Sequence, residues 1–140
     1  MLRTTGVLDV ARIVPPPMQP GETRSLTLMA GGGFNRISLI SMLNPTNGGF
    51  WAIQGVRIRD DNKPLVLHAN GYDAGSEPND ELCANIAGPI CAIVNGSEED
   101  PIIGEGFIHV HGGMHGIGDL PAIEFDWKNP VAKITIRRVE

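Results

Sequence analysis

Eighteen glycines and eleven prolines interrupt this 140-residue chain so often that no stretch keeps a helical apolar period between proper start and stop signals. What survives between the interruptions is short and alternating or β-branched, so the chain is expected to be all-β. One domain, residues 1–140, suits that length, and 41% hydrophobic with 19% charged residues suffices for a core of its own. Candidate strands are 7–14, 25–29, 36–43, 50–59, 64–68, 106–111 and 131–139. Short strands with frequent turns suggest an antiparallel β-sandwich. The last is the clearest, because Ala132, Ile134 and Ile136 alternate with Lys133, Thr135 and Arg137. Segment 36–43 is apolar on both faces and reads as a central strand, and Gly31-Gly32-Gly33 reads as a hairpin turn.

Between residues 69 and 104 the periodicity gives way to Gly, Pro, Asn and acidic residues, a long connection of the kind that is usually functional or stapled. Cys83 and Cys91 lie inside it, and the chain has no third thiol to compete. A disulfide between them is expected, worth about 2.5 kcal/mol through loop-closure entropy. Two separate buried thiols would instead point to a reducing compartment.

The net charge is −5 and the basic residues do not cluster beyond Arg137-Arg138, which speaks against nucleic acid and against anionic membrane surfaces as partners. No apolar run approaches the roughly 18 residues of a transmembrane helix. Met1-Leu2-Arg3-Thr4-Thr5 lacks the apolar centre of a signal peptide, so either an export segment has been removed or the chain is cytosolic.

The densest chemistry is Gly106-Phe107-Ile108-His109-Val110-His111-Gly112-Gly113-Met114-His115. On a strand, His109 and His111 share a face, and the Gly112-Gly113 turn could return His115 as a third nitrogen donor. Such a trio suits zinc, copper or nickel; the plain alternative is a polar strand face beside a turn. His109-x-His111 also resembles the first motif of cupins, although His115 stands where those proteins carry Glu and a second motif is missing. If a metal acted here, Glu105 or Asp119 would be the nearest base. A second candidate is the acidic run containing Asp73, Glu77, Asp80 and Glu81, where oxygen donors are dense enough for a hard cation, although acidic loops are usually just solvated. Ser38, Ser41 and Ser76 are not set in a nucleophile elbow. Trp51 and Trp127 read as buried fillers, Trp127 anchoring the lead-in to the last strand.

Three blocks, Ile37-Ser38-Leu39-Ile40-Ser41-Met42-Leu43-Asn44-Pro45-Thr46-Asn47-Gly48-Gly49-Phe50, Tyr72-Asp73-Ala74-Gly75-Ser76-Glu77 and Asn129-Pro130-Val131-Ala132-Lys133-Ile134-Thr135-Ile136, resemble the spondin amino-terminal domain family, its bacterial branch in particular. The resemblance implies a C2-like antiparallel β-sandwich, secreted or at the cell surface, engaged in adhesion or matrix contact rather than catalysis. It also implies calcium at Asp73 and Glu77, weakened here because Gly48 stands where the family's loop carries Asp, and Gln54 and Arg57 where animal members tend to be acidic. The family's longer amino-terminal portion has no counterpart, and the strand it would supply leaves an open sheet edge, to be covered by 7–14 or by another molecule. The expected function is therefore exported, non-enzymatic binding of a protein or glycan surface, or self-assembly into an oligomer or filament through the open edge. The alternative is a transition-metal protein or metalloenzyme built on His109, His111 and His115.

Overall fold

The computed structural model describes residues 6–14, 16–86, 90–91 and 104–139. Among these residues, six strands make two antiparallel sheets: β1 (Arg36–Met42), β2 (Gly49–Arg57), β3 (Leu65–Ala69), β4 (Gly71–Asp73), β5 (His109–Val110) and β6 (Ala132–Ile136). The larger sheet runs β1-β2-β4-β5, and the smaller pairs β3 with β6. Among the described residues, helix is limited to a 3-10 turn at Cys83–Asn85, the helical pair Ile90 and Cys91, and one short helix, α1 (Ala122–Phe125). The fold is all-β and sandwich-like, with a disulfide between Cys83 and Cys91 in the connection from β4 to β5.

The β1–β2 hairpin contains a bulge. Ile37 pairs with Val56 but Leu39 pairs with Ile53, so Gln54 and Gly55 together face Ser38. Gly55 takes the extra turn at φ +60°, its N–H donates to Ser38 Oγ at 2.9 Å, and its carbonyl accepts from Arg36 Nη1 at 2.7 Å. In β6 the expected alternation is present, Ala132, Ile134 and Ile136 half-buried and Lys133 and Thr135 exposed.

Three expectations need correction. Segments 7–14 and 25–29 are irregular, not strands. Their backbone groups are bonded by side chains instead of a ladder: Asp9 Oδ1 accepts from Val10 N, Asp9 Oδ2 from Met29 N, and the Arg24 guanidinium donates to the carbonyls of Val14 and Pro16. Next, β1 is the edge of its sheet, not its centre, and its apolar residues include exposed Ile40 and Met42. Last, the connection after residue 69 contains a strand, β4, too short to show a period. Its first residue is tied by Gly71 N–H to Asn129 Oδ1 at 2.7 Å, and it lies between Gly49–Trp51 and His109–Val110. The site is tight: a Cβ at residue 71 would meet Leu43 Cδ1 at 3.1 Å and Trp127 Nε1 at 3.3 Å, so those side chains would have to give by a few tenths of an ångström.

Gly31-Gly32-Gly33 does form a tight turn, closed by reciprocal bonds between Gly31 and Phe34. The most deeply buried apolar cluster is not on the strands. It consists of Cys83, Ile86, Cys91, Met114 and Leu120, with Phe125 and Trp127 packed against it. The disulfide and the loops flanking β5 thus form the core, while strand side chains are mostly half-buried.

Candidate functional site

The residues singled out from sequence gather around the loops that join β4 to β5 and β5 to α1, where buried polar groups lie beside the apolar cluster. Asp73, the last residue of β4, lies opposite Gly49 on one side and His109 on the other and is 0% exposed. Its Oδ1 accepts from Gly75 N at 2.6 Å, and its Oδ2 accepts from Asn79 Nδ2 and lies 3.9 Å from His109 Nε2. Gly75 turns at φ +68° with the Phe107 backbone so close that a Cβ would clash.

Asn47 reaches across from the β1–β2 turn as a second buried hub. Its Oδ1 accepts from Glu81 N at 3.2 Å, and its Nδ2 donates to Asp80 Oδ1 and to the Asn85 carbonyl, each at 3.3 Å. Asp80 in turn accepts from Leu82 N and Asn85 Nδ2. Glu81, buried and at φ +58°, holds the other end. Its carboxylate accepts from the amides of His115 and Ile117, its carbonyl accepts from Asp119 N at 2.9 Å, and the His115 ring sits 3.5 Å away. Asp119 Oδ2 accepts from Cys83 N at 2.9 Å, which ties the hub to the disulfide. Asp119 is thus part of the scaffold, while Glu105 is exposed on the segment before β5.

The three histidines do not share one outward face. His109 is half-buried beside Asp73, His115 is exposed over Glu81, and His111 is 4% exposed with its ring 4.8 Å from that of Trp127. Only two residues of the expected strand 106–111 pair, but His111 stays extended because its N–H donates to the Gly71 carbonyl at 3.0 Å. His111 Nδ1 accepts from Gly113 N at 3.1 Å, which assigns the proton of a neutral ring to Nε2 and leaves neither nitrogen with a free lone pair. Binding a metal through His111 would cost that bond. Among the described residues, no three His, Cys, Asp or Glu side chains converge closely enough to hold a metal. His111 Nε2 and Trp127 Nε1 are buried without a protein partner among the described residues.

On the acidic segment, burial above all, and then the Asp73 and Asp80 carboxylates, raise Glu77 above its ordinary value of 4.5. Asp73 is already committed to Gly75 and Asn79, and Gly48 adds no carboxylate, so these residues fall short of the six to eight oxygens of a ready calcium cage. Ser76 is exposed, and Trp51 is half-buried on β2 opposite Gly71.

Two of these groups set the acid response. Burial lowers His111 below 6.5, its largest influence, and the nearby His109 and His115 rings act in the same direction while Asp73 and Glu81 oppose it. The folded chain therefore resists protonating His111, and its contribution is full above about pH 6.5 and declines below it. Burial pushes the Glu81 carboxyl up, but the amides of His115, Ile117 and Gly116 and the His115 ring outweigh burial and hold it below 4.5. That contribution is present above about pH 4.5 and lost as pH falls further. In a Glu77→Gln background, which removes the opposing gain from protonating Glu77, the urea midpoint should be flat near neutrality, sag below about pH 6.5 and drop further below about pH 4.5. His111→Phe, which keeps an aromatic ring beside Trp127, should remove the sag; an unchanged profile would refute this assignment.

The resemblance implies an open sheet edge, but not on the segment read as a central strand: it is the outer edge of β1. Leu43 N donates to the Gly49 carbonyl at 2.9 Å, so by antiparallel alternation the odd-numbered residues of β1 bond to β2 and Ser38, Ile40 and Met42 turn their backbone groups outward. On the same strand Ile40 is 74% and Met42 69% exposed. The opposite edge of the sheet, β5, is only two residues long. A surface cavity lined by Gly6, Gly33, Phe34, Asn35 and Arg36 opens near the start of β1, away from the histidines. The sequence signal for the edge is the uncharged run Ile37-Ser38-Leu39-Ile40-Ser41-Met42-Leu43, together with the absence of Asp and Glu from residues 23–59.

Comparison with protein-family models found no match, and neither did comparison with curated proteins or with solved structures. No helix among the described residues is long and apolar enough to cross a membrane.

Proposed function

We propose that this chain is an exported, non-enzymatic β-sandwich that acts by surface recognition, in adhesion or assembly, through the open edge of its larger sheet. The carrying observation is β1 itself, a seven-residue edge strand with outward-facing backbone groups, exposed Ile40 and Met42, and no Lys or Pro to guard it. Edge strands of this kind recruit an added strand from a partner. The titratable groups around β4 and β5 support the same reading, because Asp73, Asp80, Glu81 and Asp119 are engaged in bonds that hold loops. Export is supported by the disulfide, a bond that persists in oxidising compartments. The spondin-type resemblance leads to the same class of function, a protein or glycan surface as partner. Retention of the purified chain on plates coated with collagen, fibronectin or dextran tests the reading. Wild type should be retained on at least one, and Ile40→Lys should reduce retention at least tenfold; equal retention of the two, or none, would count against it.

Calcium at Asp73 and Glu77 is a secondary reading, supported by the spondin-type resemblance; burial first, and then the Asp73 and Asp80 carboxylates, hold Glu77 above its ordinary value, and a divalent ion would offset the second influence. Calcium at about 10 mM, above the range of weak extracellular sites, should then raise Tm in wild type but not in Glu77→Gln. Without calcium, Glu77→Gln should itself gain about 1–3 °C at neutral pH, since the folded state disfavours the ionised form. Equal calcium responses would remove the site. Zinc or copper on His109, His111 and His115 would be supported by stoichiometric metal that is lost in His109→Ala and His111→Ala.

A further inference from the structure

We infer that the occupant of the β1 edge is a second copy of this chain, paired antiparallel about a two-fold axis at Leu39 so that the two larger sheets become one. This rests on the surface-recognition reading above and specifies its partner. The outward-facing backbone groups belong to the even-numbered residues, and a two-fold at Leu39 sets Ser38 opposite the partner copy's Ile40 and Arg36 opposite the partner copy's Met42. Every outward N–H and C=O along the strand then meets a complementary group, and the contact is isologous and closes on itself.

Charge favours the same pairing. The chain carries −5 overall, yet residues 23–59 contain no Asp or Glu, so two β1–β2 hairpins meet without bringing their own carboxylates together. The arginines of this region are largely accounted for: Arg24 pairs with Glu22, Arg57 with Asp60 and Arg59 with Asp61. Arg36, the one charged residue of β1, lies at opposite ends of the paired strands, about 20 Å from its counterpart at 3.4 Å per residue and beyond the screening length of physiological salt. The bulge at Gly55 lies on β2, away from the free edge, so β1 keeps its pairing geometry. At the other end of the sheet, the two-residue β5 offers too short a ladder to compete.

The test is sedimentation of the purified, oxidised chain across a concentration series, with three variants. Wild type should pass from monomer to dimer as concentration rises. Ile40→Lys should weaken dimerisation at least tenfold. Ile40→Pro should do the same with the monomer still folded, because the Ile40 N–H faces outward and proline is tolerated there only while that edge stays unpaired. Leu39→Cys should form an intermolecular disulfide, because a residue on the two-fold faces its own copy at about 4.5 Å between Cα atoms, within disulfide reach, and both native cysteines are already bonded. A chain that stays monomeric throughout, a dimer indifferent to both Ile40 variants, or a dimer that Leu39→Cys fails to cross-link would each overturn the inference. A monomer that still binds coated plates through Ile40 would overturn the dimer and leave surface recognition standing; a cross-linked dimer that binds no plate would make assembly the function of the edge and rule out adhesion to those coats.

Discussion

Glu81→Ala is expected to lower unfolding stability by about 3 kcal/mol or more, a large share of the 5–15 kcal/mol typical of a small domain. The carboxylate is buried and accepts from the amides of His115 and Ile117, so its removal leaves buried donors unpaired on the loop that packs Met114 and Leu120 into the core. An amide donor left without an acceptor costs roughly 1–3 kcal/mol, and two are exposed to that cost here. Glu81→Gln should fall between wild type and alanine, since it keeps one acceptor oxygen but points a donor at amides that also donate. Urea unfolding at neutral pH measures both. A loss under about 1 kcal/mol for alanine would mean that the amides find water, and that the buried hub does not hold the loop.

Cys83→Ala with Cys91→Ala is the second large effect. The two cysteines are eight positions apart, and opening that loop costs about 2.5 kcal/mol by chain entropy. Both are also members of the buried cluster with Ile86, Met114 and Leu120, so losing the sulfurs adds a packing penalty of about 1 kcal/mol or more. The double variant should unfold at a markedly lower urea concentration, and reduction of the wild-type chain should reproduce most of the shift without any change in side-chain volume. A double variant as stable as wild type would show that the surrounding contacts alone fix the loop.

The all-β class was legible because glycine and proline spacing forbids long helices, and β6 because one wet and one dry face leave a period of two. The disulfide was legible because the chain holds only two thiols, close together. Segment 7–14 misled because apolar content alone does not make a strand: Asp9 and Arg24 offer its neighbourhood side-chain partners that compete with a ladder. β1 misled for a related reason. Two apolar faces ordinarily mean a central strand, but here no strand among the described residues pairs on the outer side, and the same residues become an exposed edge. β4 was invisible because three residues carry no period, and it exists through long-range bonds to Asn129, Gly49–Trp51 and His109–Val110. The histidine cluster was conspicuous as a motif, yet its spacing could not tell that the Gly113 amide engages His111 or that a different carboxylate lies beside each of His109 and His115.

Residue-resolved amide hydrogen exchange on β1, followed from dilute to concentrated protein, probes the proposed working edge most directly. The amides of Leu39, Ser41 and Leu43, which face β2, should be protected at every concentration, while those of Ser38, Ile40 and Met42 should exchange freely in the dilute monomer and become protected only as the chains associate. If the outward amides are already protected in the monomer, or stay unprotected at the highest concentration, β1 is not the surface through which this protein works.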